Sequence, residues 1–107
     1  MGLFEKKHDD AARALKTLRE ILTAEKTPVN RDAAIQRFEY TVEAVWKCLQ
    51  IYLKEEQGIG CYSPKACFRE AKNVGLLSEE DTALALQMID DRNMTSDTYH
   101  EGIAKNI

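Results

Sequence analysis

One long amphipathic stretch limits what this chain can fold into. Between residues 32 and 56 the apolar side chains recur at intervals of three, four, three, four and three residues: Ile35, Phe38, Val42, Val45, Leu49 and Tyr52. This spacing is typical of one packed face of an α-helix. Trp46 and Leu53 form a second apolar edge. We therefore expect the helix to contact two neighbours, with another subunit as a candidate for one of them, and we interpret Trp46 as a core residue.

Turn and capping signals divide the rest of the chain into further helices. Thr27-Pro28 is predicted to end a first helix that begins at Phe4 and runs to Ala24, and Asn30 to cap the long second helix. Ser63-Pro64 starts a third helix that runs to Val74, and Ser78 caps a fourth. The expected inward faces hold Ala11, Ala14, Leu15, Leu18, Ile21 and Leu22 in the first helix, Ala66, Cys67, Ala71 and Val74 in the third, and Leu84, Ala85, Met88 and Ile89 in the fourth.

The sequence contains no alternating apolar and polar run long enough for a strand. Helices joined by short turns predict an all-α, up-and-down antiparallel bundle, and 107 residues predict a single domain over 1–107.

Composition excludes several classes of function. The formal net charge of −3 argues against a broad positively charged surface that binds nucleic acid. We expect no membrane span and no signal peptide, and hence a cytoplasmic protein. Cys48, Cys61 and Cys67 are an odd count without a secretory context, and we interpret them as free thiols. Two separated histidines do not suggest a metal site, and the sequence predicts no cofactor.

The polar segment near the C-terminus is the main candidate for a site. Asp90 to Met94 contains two acids, a guanidinium and an amide, and Thr98 to Glu101 has the pattern of a capping box. These signals predict a polar joint between two helices, with a short last helix carrying Ile103 and Ile107. Exposed N–H groups and Arg92 would suit a phosphate there. The alternative is a solvated helix end without a ligand.

Two stretches together resemble the HEPN-domain family, and within it the nucleotidyltransferase substrate-binding subfamily. They are 30–43 with Trp46-Lys47, and 63–76 continuing through Asp90-Asp91-Arg92-Asn93 to Tyr99. The resemblance implies a HEPN-like four-helix bundle that dimerises about a two-fold axis, with the Arg-Asn segments of both subunits facing a shared cleft. It also implies a minimal nucleotidyltransferase encoded nearby as partner, in a toxin–antitoxin-type pair, and an RNA or nucleotide ligand. The final helix of the family would be truncated in this chain.

The resemblance carries over residue by residue. Arg92 and Asn93 match the positions that hold phosphate in active, metal-independent HEPN ribonucleases, whereas Asp97 stands where the family has its histidine. An exposed Asp has a pKa of about 3.9 and is a poor proton donor at neutral pH, so the sequence predicts a ribonuclease-deficient protein. Tyr99 matches a position that can accept AMP from the partner transferase; the alternative is a tyrosine that packs over the helix cap.

Three functions follow as hypotheses. The first is an accessory subunit, not an enzyme on its own, with Arg92, Asn93, Asp97 and Tyr99 as binding residues. The second is a ribonuclease toxin that uses Arg92 and Asn93, with His100 as its acid–base group. The third is a structural helical protein whose polar segment is only a cap.

Overall fold

The computed structural model describes the backbone of residues 2–105 and the side chains of residues 2–94. Four helices follow one another along the chain: α1 (Leu3–Leu22), α2 (Pro28–Gln57), α3 (Pro64–Asn73) and α4 (Glu79–Lys105). The prediction of an all-α bundle is confirmed. No helix in the described part of the chain is both long enough and apolar enough to cross a bilayer.

Hydroxyl side chains cap the N-termini of three helices. Ser63 Oγ accepts a hydrogen bond from Ala66 N at 3.3 Å, and Ser78 Oγ accepts one from Asp81 N at 3.0 Å, as the sequence predicted. The cap of α2 was predicted wrongly. It is Thr27, whose Oγ1 accepts from Asn30 N at 3.1 Å, because a proline lacks an N–H and its fixed φ suits the first position of a helix. Pro28 therefore begins α2 and does not merely end α1.

The long helix α2 is the centre of the bundle, since it packs against α1, α3 and α4. The predicted packed face of α2 is confirmed. Val42 lies in a buried cluster with Phe68 and Ile89, and Phe38, Val45 and Leu49 pack against this cluster. The second edge of α2 meets α3, where Leu53 lies in a separate buried cluster with Cys61 and Cys67. Both edges are thus covered, at least in part, within one chain, and sequence reasoning missed Phe68.

Some predicted core residues lie at the surface. Leu15, Leu22 and Leu84 are exposed, and Leu84 is the most exposed of the three at 70%. Among the described residues, α1 packs on α2 and on no other helix. Only a narrow strip of α1, centred on Ala14, is therefore buried. In α4 the inward face is formed by Ala85, Leu86, Met88 and Ile89, and Leu84 falls outside it.

The prediction of three free thiols is wrong. Cys61 and Cys67 form a disulfide, while Cys48 is free. Cys61 lies in the loop after α2, and Cys67 lies on the first turn of α3, so a separation of six residues brings their Cα atoms to 5.2 Å. This distance is within the usual range for a disulfide. The prediction that Cys67 is a buried core residue is confirmed.

The predicted joint between two helices is also wrong. Helix α4 continues without a break from Glu79 to Lys105, so Thr98 lies inside a helix and does not cap a new one. No proline or glycine occurs between Leu76 and Glu101, and polar side chains on an exposed helix face do not by themselves interrupt it. The expected short last helix is part of α4. Ile107 lies outside the described residues.

Candidate functional site

A groove between α2 and α4 holds the described part of the polar segment. Its volume is about 860 Å³. The lining side chains from α2 recur every three or four residues, which places them on one face of that helix. Helix α2 supplies Gln36, Glu39, Tyr40, Glu43, Ala44 and Lys47, and α4 supplies Arg92 and Asn93.

Arg92 is held between the two helices. Its Nη1 donates to Glu43 Oε2 at 3.0 Å, and its Nη2 and Nε donate to Asn93 Oδ1 at 3.0 and 3.3 Å. The side chain is only 21% exposed, because Arg92 follows the buried Ile89 by one turn. The prediction that Arg92 lies at the edge of the core-facing stripe is therefore confirmed. Its guanidinium is fixed before any ligand arrives.

Glu43 joins three side chains at this site. Its Oε2 accepts from Trp46 Nε1 at 2.9 Å as well as from Arg92, and its Oε1 lies 3.1 Å from Lys47 Nζ. Partial burial alone would raise the pKa of the Glu43 carboxyl. The hydrogen bonds from Trp46 and Lys47, with the charges of Lys47 and Arg92, outweigh burial and lower that pKa below its ordinary value. Glu43 is thus an ionised anchor for two cations.

Sequence reasoning missed Glu43. The signal that could have found it is local, because Glu43, Trp46 and Lys47 stand three and four residues apart on one helix face. Trp46 was expected to be a core residue, and this is confirmed, since it packs against both buried clusters. Its indole N–H has the further role of holding the carboxylate.

Helix α1 supports one wall of the groove through Tyr40. The hydroxyl groups of Tyr40 and Thr17 form a hydrogen bond, and Arg37 Nη1 donates to the carbonyl oxygen of Thr17 at 2.8 Å. The side chain of Tyr40 remains 42% exposed. These contacts fix a partly exposed aromatic ring beside the charged groups.

The side chains of Asp97, Tyr99 and His100 lie outside the described residues, but the helical backbone sets where their positions fall around α4. At 3.6 residues per turn, position 99 is about 20° from position 92 around the helix axis, and about 10 Å further along it. Positions 97 and 100 are about 140° and 80° away. The backbone therefore brings Tyr99 to the Arg92 side of α4, and not Asp97 or His100.

The arrangement has the chemistry of a polar binding site. Lys47 and Arg92 offer two cations, Glu43 holds both, and Gln36 and Asn93 add amides. The groove's described lining contains no histidine or cysteine, the side chains that most readily transfer a proton or act as nucleophiles near neutral pH. Within residues 2–94, no three His, Cys, Asp or Glu side chains are grouped so that they could hold a metal ion.

Comparison with known proteins shows which family the chain matches. A family model described as nucleotidyltransferase substrate binding protein like matches residues 6–107. The chain is also similar to a protein from Thermus thermophilus whose crystal structure is known. The two are 54% identical, the match covers 90% of this chain and 82% of that chain, and the TM-score is 0.78. A search of curated proteins found no match.

Proposed function

The chain belongs to the family described as nucleotidyltransferase substrate binding protein like, and from this membership we propose that it is an accessory subunit of a minimal nucleotidyltransferase encoded nearby. In this role it binds the transferase and holds or presents its substrate, and it is not an enzyme on its own. The observation that carries the proposal is the family match over residues 6–107.

The groove between α2 and α4 is the proposed place for the substrate. An anionic group, such as a phosphate or a nucleotide, suits the fixed guanidinium of Arg92 and the ammonium group of Lys47. Glu43 neutralises much of this positive charge, so an anion must compete with that carboxylate for both cations. We therefore assign the groove moderate affinity for small anions and a preference for ligands that also contact Tyr40 or the amides.

The HEPN-like character of the chain remains part of the proposal, as does a toxin–antitoxin-type pairing with the transferase. We propose that the protein has little metal-independent ribonuclease activity. Asp97 replaces the histidine of the active family members, and a carboxylate there is a poor proton donor at neutral pH. Strong RNA cleavage by the purified protein, lost in a His100→Ala variant, would favour the ribonuclease hypothesis with Arg92, Asn93 and His100.

The test is transferase kinetics with and without this protein. With the neighbouring transferase, ATP and Mg²⁺, adding the wild-type chain should lower the KM for the acceptor substrate. Arg92→Ala should remove most of this effect, since it deletes the guanidinium that lines the groove. Arg69→Ala is the matched control, because Arg69 is exposed on α3 and does not line the groove. Equal kinetics with and without the wild-type protein would contradict the proposal.

A further inference from the structure

One side chain, Trp46, contacts both the buried cluster that contains the disulfide and the carboxylate of Glu43 in the groove. Cys61 and Cys67 lie in one of the two buried clusters, and Trp46 packs against it. The indole N–H of Trp46 donates to Glu43 Oε2 at 2.9 Å, and Arg92 donates to the same oxygen at 3.0 Å. A single rigid ring therefore connects the disulfide cluster to the carboxylate that holds Arg92.

A second connection runs through α3. The disulfide closes the segment 61–67, which contains Lys65, and Lys65 Nζ lies 2.6 Å from Asp90 Oδ1 on α4. Phe68, the next residue after the segment, packs with Ile89 in the larger cluster. Ile89 and Asp90 precede Arg92 by three and two residues. Both contacts therefore act on the turn of α4 that carries the guanidinium.

We infer that the Cys61–Cys67 pair is a redox switch that sets the geometry of the groove at Arg92. The inference rests on the proposed function, since it adds regulation to the same site. The disulfide fixes the loop after α2 to the first turn of α3, and this holds the surface on which Trp46 packs. Apart from the disulfide, the loop is held by hydrogen bonds, from Ile59 N to Leu53 O at 3.0 Å and from Gln50 Nε2 to Cys61 O at 2.6 Å.

Reduction proceeds by thiol–disulfide exchange with a dithiol. One thiolate of the dithiol bonds to Cys61 Sγ, the bond between the protein sulfurs breaks, and Cys67 leaves as a thiolate that takes up a proton. The second thiolate of the dithiol then displaces Cys61, which is also protonated. The dithiol is oxidised to a disulfide, and the protein pair is reduced to two thiols.

The surroundings of the pair favour attack at Cys61. Cys61 is 3% exposed and lines a cavity of about 530 Å³ together with Gly60 and Tyr62, whereas Cys67 is 0% exposed and does not line this cavity. The remaining cysteine, Cys48, is a poor participant, because burial raises the pKa of its thiol and so disfavours the thiolate. Disulfides in cytosolic proteins are usually transient, catalytic or redox-sensing, which agrees with a switch in a protein of the predicted cytoplasmic location.

Nuclear magnetic resonance of the full chain tests the inference. Trp46 is the single tryptophan, so its indole N–H gives one unambiguous proton–nitrogen cross-peak. An acid titration followed at this peak reports the ionisation of Glu43, to which the indole donates. The titration midpoint should rise toward the ordinary value for a glutamate when excess dithiothreitol is present. Identical midpoints in the oxidised and reduced protein would overturn the inference, even if the peak itself moves.

Three controls make the result specific. Cys48→Ser should behave as the wild type does, and the double variant Cys61→Ser, Cys67→Ser should show the raised midpoint with or without dithiothreitol. Circular dichroism should show that the reduced wild type keeps its helices; its unfolding would make the disulfide a structural crosslink and overturn the switch. The titration does not involve the transferase. A raised midpoint without transferase binding would support the switch and refute the proposed function. Transferase binding with an unchanged midpoint would support the proposed function and refute the switch.

Discussion

Glu43 is the residue on which the groove depends most. It is the common partner of Trp46, Lys47 and Arg92, and it connects α2 to α4 through Arg92. Its side chain is 41% exposed, so water screens these interactions and their contribution to stability is modest. The carboxylate matters more for position than for energy, because it fixes the two cations that a ligand would meet.

The lowered pKa of Glu43 predicts a pH-dependent effect of Glu43→Gln. At about pH 7 the substitution should reduce the free energy of unfolding by about 0.2–1 kcal/mol, as for an exposed ion pair. Because the folded-state pKa is lowered, this stabilisation is complete above the unfolded-state pKa and is lost as the pH falls through the folded-state value. Urea unfolding of both proteins at several pH values measures the difference.

The matched control is Glu56→Gln, since Glu56 is exposed near the end of α2 and does not line the groove. Its effect should be small at every pH. A cost of Glu43→Gln that stays the same from about pH 7 to about pH 3 would contradict the assigned role of the carboxylate.

Tyr99 is the residue that we expect to meet the transferase's chemistry. Its position on α4 falls on the same side of the helix as Arg92. After incubation with the neighbouring transferase, ATP and Mg²⁺, mass spectrometry should show a mass increase of one or more AMP units. The increase should be absent in Tyr99→Phe and kept in Tyr62→Phe, which changes an exposed tyrosine outside the groove. An unmodified protein beside a demonstrably active transferase would rule this out.

At the scale of elements, the sequence predicted the starts of α3 and α4 correctly, but it took Thr27-Pro28 as the end of α1 and missed it as the start of α2. Ser63-Pro64 and Ser78 begin helices as expected, and Gly58 and Gly75 adopt positive φ at the ends of α2 and α3. A second failure came at Thr98, where a capping pattern lies inside α4. Such a pattern is only a local preference, and a helix continues through it unless the backbone is interrupted.

This difference between real and apparent caps can be measured. Ser78→Ala should reduce the free energy of unfolding by about 1 kcal/mol, because it removes the acceptor for Asp81 N. Thr98→Ala should leave stability unchanged or raise it by a few tenths of a kcal/mol, since Ala is the better helix former. Chemical denaturation of both variants gives the comparison. Equal costs would mean that a helix starts at Thr98 after all.

At the scale of the whole molecule, the sequence predicted the class of fold but not all of its contacts. The packed face of α2 could be predicted because its apolar residues are periodic over about five helical turns. Val42, on this face, is buried as expected. The disulfide and the Glu43–Arg92 pair could not be predicted in the same way. Each depends on how loops and helices meet in space, and Glu43 and Arg92 are 49 residues apart.

Assembly is a further prediction at this scale. The family resemblance implies a homodimer, and we expect light scattering at micromolar concentration to give twice the mass of one subunit. The second apolar edge of α2, formed by Trp46 and Leu53, no longer supports a dimer, because α3 covers this edge within the same chain. The dimer prediction therefore depends on the resemblance, and a stable monomer under these conditions would contradict it.

The central claim is that this chain is a binding partner of a nucleotidyltransferase. The most direct test is isothermal titration calorimetry of the purified transferase encoded nearby into the oxidised, full-length protein. We predict saturable binding with a fixed stoichiometry and no heat in the matching titration into buffer. Absence of binding, measured with a transferase that is active on its own substrate, would contradict the account.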